Sequence, residues 1–240
     1  MMKHWLTARR AKKYLRNGIR LQLKGNLKSA IEKLSQAIEM DPTLIDAYLA
    51  RGIAYFYLGE MEHCVADLDI VLLNKPQVSA ALYWRSRSYM TLDKIDLALA
   101  DIDQAIALDP DEPAGPLFRC FIHSSRDEYD AAIADATKAV ELGMEKPGYQ
   151  NRALTFTKMR KYQEAIEDWT KVIELEPGAA YAYCERGILL DKIGQAQRSI
   201  SDLQIGLKHK DKIEERLRLS AGELLEKLQK SNSVDQGNPK

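Results

Sequence analysis

A small side chain followed by an aliphatic one recurs along this chain at Ala30-Ile31, Cys64-Val65, Ala98-Leu99, Ala132-Ile133, Ala165-Ile166 and Ser199-Ile200, in steps of 34, 34, 34, 33 and 34 residues. A fixed period of this length is the mark of a chain that stacks one supersecondary unit on the next. Each unit then buries its apolar face only against its neighbours. Larger apolar residues flank the signature at helical spacing: Tyr48, Tyr55, Leu68 and Leu72 around the second copy, and Tyr149, Phe156, Trp169 and Ile173 around the fifth. Residues three, four or seven apart share one helix face, so each copy reads as a pair of amphipathic helices.

The period divides residues 11–213 into six units, 11–44, 45–78, 79–112, 113–145, 146–179 and 180–213. Pro42, Pro76, Pro110 and Pro177 close four of them, because proline cannot continue a helix and biases the residue before it away from one. Gly25, Gly59 and Gly194 stand where a first helix turns into a second, and Asp93, Asp127 and Arg160 stand at the other three turns. The fourth unit opens with Pro113 and Pro116 around Gly115, which predicts a short first helix starting near those prolines. Each first helix carries one small residue near its middle, Gly18, Gly52, Ser86, Cys120, Ala153 or Gly187. Paired with the small residue of the second helix, it lets two antiparallel backbones approach closely.

Outside the units, residues 1–10 extend the first helix with a basic segment. Residues 211–230 carry an apolar stripe of Ile213, Leu217, Ala221, Leu224, Leu225 and Leu228 that predicts a capping helix. Residues 231–240 hold one apolar side chain and are expected to be disordered.

The stretch Ile45 to Gln77 resembles a tetratricopeptide (TPR) repeat in Tyr48, Gly52, Tyr55, Leu58-Gly59, Cys64, Leu68, Val71 and Pro76. The resemblance extends over residues 11–213. It implies an all-α, right-handed α-solenoid of stacked antiparallel helix pairs, acting as a non-enzymatic scaffold or adaptor. The partner would be another protein, offering a peptide or an amphipathic helix to the concave wall of the first helices. Carried over residue by residue, the ligand-facing places of the family fall on Leu49, Ile53, Phe56 and Tyr57 in the second unit. In the third they fall on Tyr83, Arg87 and Met90, with Trp84 adjacent, and in the fourth on Leu117 and Phe121. The fifth and sixth supply Gln150, Leu154, Lys158 and Ile188. The clamp that captures chaperone C-terminal tails needs Lys and Asn where this chain has Leu15 and Ile19, then Leu49 and Ile53. Chaperone-tail binding is therefore not expected.

A second pattern repeats in register. Arg51, Arg85, Arg119, Arg152 and Arg186 are each matched by Asp67, Asp101, Asp135, Asp168 and Asp202, while the first unit has Asn17 and Lys33 and so lacks both members. Joint presence and joint absence predict structural ion pairs, because a guanidinium fork binds a carboxylate bidentately and fixes angle as well as distance.

No arrangement with catalytic spacing accompanies these patterns. There is no phosphate-cradling glycine loop, no HExxH, no CxxC and no G-x-S-x-G. The four histidines fall at unrelated places in different units, so no metal site and no cofactor is expected. Cys64, Cys120 and Cys184 are an odd number in separate units, with the first two at packing places, which suits a reducing compartment and a cytoplasmic location. No apolar run reaches the ~20 residues that span a bilayer, and the first residues lack the apolar core of a secretory signal.

Net charge is zero but unevenly spread. Residues 1–31 hold nine of the 35 basic residues and none of the 35 acidic ones, leaving 26 basic against 35 acidic beyond them. Lys3, Arg9, Arg10, Lys12, Lys13, Arg16 and Arg20 thus offer an alternative contact for a nucleic acid or an anionic membrane. Nucleic-acid binding is disfavoured, since the rest of the chain is acidic and has no aromatic-plus-basic stripe. Self-association through apolar groove or cap surfaces is a further possibility.

Overall fold

The computed structural model describes residues 2–209 and 213–236, with side chains for 6–209 and 213–231. Every element among the described residues is an α-helix, and the chain forms two compact units, residues 1–115 and 116–240. Unit 1 contains α1 (Met2–Leu23), α2 (Leu27–Met40), α3 (Ile45–Leu58), α4 (Met61–Asn74), α5 (Ser79–Thr91) and α6 (Ile95–Leu108). Unit 2 contains α7 (Ala114–Ser125), whose first turn carries the division, then α8 (Tyr129–Glu141), α9 (Glu145–Lys158), α10 (Tyr162–Leu175), α11 (Ala180–Lys192), α12 (Ala196–Leu207) and α13 (Glu215–Gln236). Within each unit the helices pack pairwise in chain order, the α-solenoid arrangement.

The turns inside the pairs follow from backbone sterics. Gly59 ends α3 in the left-handed region with φ 87°, and the amides of Gly59 and Glu60 reach back to the carbonyls of Phe56 and Tyr55. At the α9–α10 turn the same conformation falls on Arg160, with φ 60°, although a side chain crowds its own carbonyl there. The helix starts have no side-chain caps where the cap residue is described, so packing rather than capping holds them.

All twelve small residues at the helix crossings are buried. A Cβ at Gly18 would lie 2.6 Å from Leu34 Cγ and one at Gly187 would lie 2.9 Å from Leu203 Cγ, so the contact has no room for a methyl group. Where serine replaces glycine or alanine, its hydroxyl is used. Ser86 Oγ donates to the Ala98 carbonyl at 2.6 Å, and Ser199 Oγ donates to the Gly187 carbonyl at 2.7 Å. Around these crossings the core of unit 1 gathers Leu34, Tyr48, Cys64, Leu68 and Val71. In unit 2, Ile166, Trp169, Val172 and Leu190 form one cluster.

The helix α13 lays Ala221 and Leu228 against Cys184, Ile200 and Leu203, with Leu217, Leu224 and Leu225 beside them, and Ile213, just before the helix, joins the same cluster. It runs to Gln236, so residues 231–236 are helical where composition predicts none; residues 237–240 lie outside the described ones. The short helix expected after Pro113 is α7, twelve residues long. Among the described residues no helix is long and apolar enough to cross a membrane.

Candidate functional site

The first helices of unit 1 present one apolar strip each. On α3 the strip is Leu49, Ile53 and Tyr57, spaced by four, and on α1 it is Ile19 and Leu23, the residues one period earlier than Ile53 and Tyr57. With Leu27 and Trp84 these side chains line a cleft of about 710 Å³. Its polar side chains are Gln22 and Asp46. Leu23 is 83 % exposed and Tyr57 58 % exposed, while Leu49 and Ile53 form the half-buried floor.

Trp84 is held rigidly. Its ring meets Phe56 edge-on at 5.0 Å between centroids, Tyr57 at 5.3 Å and Tyr83 at 5.4 Å. The Arg87 guanidinium lies over the rings of Phe56, Trp84 and Tyr83 at 4.7, 5.0 and 5.7 Å. Such cation–π contacts fix the indole without closing it off. Trp84 and Tyr83 also border a second cavity of about 310 Å³, against Ala105, Ile106, Asp109 and Glu112.

The expected wall residues therefore separate. Leu49, Ile53 and Tyr57 come together in the cleft, whereas Phe56 is half-buried beneath Trp84 and Tyr83 faces the second cavity. Arg87 serves the aromatic cluster, and Met90 lines neither cavity. In unit 2 the expected places have other uses. Phe121, 54 % exposed, stacks on Phe118, and Leu117 is half-buried. Lys158 Nζ donates to the Ser124 carbonyl at 2.9 Å, and Gln150 Oε1 accepts from the Tyr181 hydroxyl at 3.4 Å. Leu154 is partly exposed, and Ile188 packs with the α13 cluster instead of facing open space. Ile19, Leu23 and Trp84 also belong to the cleft; Ile19 and Leu23 hold the places in the first unit that Ile53 and Tyr57 hold in the second. The first two were findable by subtracting one period from Ile53 and Tyr57.

Each paired arginine binds its aspartate with Nε and Nη2. The Nε and Nη2 distances are 2.8 and 2.8 Å for Arg51–Asp67, and 2.7 and 2.8 Å for Arg85–Asp101. They are 2.9 and 2.7 Å for Arg119–Asp135, 2.8 and 2.7 Å for Arg152–Asp168, and 2.7 and 3.0 Å for Arg186–Asp202. The carboxylates are buried, and the hydrogen bonds that Arg85 donates to Asp101 hold its guanidinium protonated well above its ordinary range. The cysteines are buried and free, and desolvation pushes the thiols of Cys64 and Cys184 up to about 11 and that of Cys120 up to about 12. They are poor nucleophiles at neutral pH. Among the described residues no three His, Cys, Asp or Glu side chains are grouped to hold a metal ion.

A TPR-repeat family model matches residues 21–59, and tetratricopeptide-repeat models match residues 49–113 and 147–178. Among solved structures, the APC/C hetero-tetramer Cut9–Hcn1 is similar with a TM-score of 0.72 at 17 % identity. The match covers 94 % of this chain but 46 % of that one. The pilF structure of Pseudomonas aeruginosa is similar with a TM-score of 0.71 at 15 % identity, covering 82 % of this chain and 90 % of that one. YrrB, described as a TPR protein with an unusual peptide-binding site, is similar with a TM-score of 0.64 at 17 % identity, covering 79 % and 97 %. At such identities the likeness is one of fold.

Proposed function

The chain belongs to the tetratricopeptide-repeat family, and we propose that it is a protein-interaction scaffold whose unit 1 cleft takes an apolar segment of a partner protein, a short peptide or one face of an amphipathic helix. The observation that carries this reading is the pair Leu23 and Tyr57, large apolar side chains held out to solvent at the mouth of a mainly apolar cleft. Covering them removes apolar surface from water at about 25 cal/mol per Å². Trp84 is already fixed by Phe56 and Arg87, so little side-chain freedom is lost on binding. The peptide-binding site of YrrB and the hetero-tetrameric setting of Cut9 support the reading by analogy of fold. The cleft's polar side chains, Gln22 and Asp46, do not form a nucleophile–base pair, which favours binding over catalysis. A second reading, contact with a polyanion, rests on the basic face of α1.

Capture from a cell extract with the wild type and with Leu23→Glu/Tyr57→Glu tests the reading, followed by calorimetry with a synthetic peptide from whatever partner is identified. Both positions are exposed, so the variant keeps its fold, as circular dichroism would show. The reading predicts that the peptide binds the wild type and that the variant weakens binding by about tenfold or more. Equal binding by the two proteins would reject the cleft.

A further inference from the structure

We infer that the segment taken by the unit 1 cleft is acidic at one end as well as apolar, its Asp or Glu residues being read by the N-terminal half of α1. The inference rests on the proposed cleft and specifies what chemistry fits it. Arg9, Lys12, Arg16, Ile19 and Leu23 follow one another at spacings of three and four, so they form a single stripe along α1. The last two line the apolar cleft. The first three line a neighbouring cavity of about 550 Å³. The two cavities share Asp46, so they form one continuous surface with a basic end and an apolar end. Asp46 is the acid at the junction, and its Oδ1 lies 3.3 Å from Lys75 Nζ, which partly neutralises it.

Residues 1–31 contain no acidic residue, so α1 is a strongly cationic helix. An occupant with carboxylates at one end complements the basic half, and one with two or three apolar anchors complements the rest. From Arg9 to Leu23 the stripe extends roughly 21 Å at the helical rise of about 1.5 Å per residue. That length matches a helical segment of about 14 residues, or an extended one of about six. Because the basic side chains are exposed, they act mainly on the rate of encounter and on its salt dependence.

The test is affinity selection of a phage-displayed library of random peptides of about 16 residues against the full chain. Wild type, Lys12→Glu/Arg16→Glu and Leu23→Glu/Tyr57→Glu are run side by side, each checked by circular dichroism. The wild type should enrich apolar anchors flanked on one side by Asp or Glu. The Lys12→Glu/Arg16→Glu variant should enrich the same anchors flanked by Lys or Arg, and should bind the wild-type winner about tenfold more weakly at low salt, with the gap closing as salt rises. Wild-type peptides without acidic excess, or acidic peptides bound equally by Lys12→Glu/Arg16→Glu, overturn the inference and leave the cleft standing. No enrichment by wild type over Leu23→Glu/Tyr57→Glu overturns the cleft itself. A single-stranded oligonucleotide or phosphatidylserine vesicles held by wild type, released by Lys12→Glu/Arg16→Glu and unaffected by Leu23→Glu/Tyr57→Glu, overturn the inference in favour of a polyanion surface.

Discussion

Arg152 grips Asp168 through two parallel hydrogen bonds, Nε to Oδ2 at 2.8 Å and Nη2 to Oδ1 at 2.7 Å, which ties α9 to α10. Its remaining Nη1 donates to Thr137 Oγ1 on α8 at 2.9 Å, so one guanidinium joins three successive helices. The same third contact runs from Arg51 to Ser35, from Arg85 to Asp69 and from Arg186 to Thr170. In these four cases the pair is thus part of a polar seam within its unit, and each of the five pairs sets the angle between its own two helices.

Removing the carboxylate strands a partly buried guanidinium. Asp168→Ala should cost about 3–5 kcal/mol in urea melts. Thr137→Val removes the third contact, together with the bond that Thr137 Oγ1 donates to the Ile133 carbonyl, and should cost about 1 kcal/mol. A loss below ~1 kcal/mol for Asp168→Ala would mean that solvent replaces the carboxylate.

Gly206 lies on α12 where it crosses α11. A Cβ there would fall 2.4 Å from Cys184 Sγ and 2.8 Å from the Ala180 carbonyl oxygen, and a backbone atom cannot turn aside as a rotamer can. Gly206→Ala should therefore destabilise unit 2 by about 1–3 kcal/mol despite alanine's better helix propensity. A more stable variant in thermal melts would contradict the crossing geometry.

At the α9–α10 turn the strain is of the opposite kind. Arg160 holds φ 60° without a glycine's freedom, so Arg160→Gly should raise stability by up to about 1 kcal/mol. Arg160→Val, β-branched, should lower it.

Burial, and then the neighbouring Glu214, push the Glu185 carboxyl up from its ordinary value. A carboxyl whose folded pKa lies above its unfolded one disfavours folding when ionised; it stops doing so as pH falls through the folded value toward the unfolded one. Glu185→Gln should thus be more stable than wild type at pH 7, and the advantage should fade below about pH 4.5, near the unfolded carboxylate range. Urea melts at pH 7 and pH 4 measure this, and an advantage that grows toward pH 4 would reverse the sign of the argument.

The helix pairs, their turns, the small crossing residues and the aspartate partners were legible in the sequence because each recurs with the 34-residue period. What the period does not encode was harder to see. Whether a wall residue stays open depends on the size of its neighbour in the next repeat: Phe56 is half-covered because a tryptophan, Trp84, stands beside it. Ile188 faces α13, a helix with no counterpart in the repeats. Lys158 turns to Ser124, and a long flexible side chain carries no periodic signal. The third arginine contact was missed because its acceptors vary among serine, threonine and aspartate. Residues 231–236 continue α13 beyond the stripe that ends at Leu228, where each further residue adds its own backbone hydrogen bond.

The central claim is that partner proteins contact the unit 1 cleft. Photo-crosslinking side chains placed singly at Leu23, Tyr57, Leu73 and Leu97 test it most directly, since all four are exposed and only the first two line the cleft. Crosslinks to one partner from positions 23 and 57, with none from 73 and 97, are the predicted result. Crosslinks from 73 or 97 with silence at 23 and 57 would contradict the account.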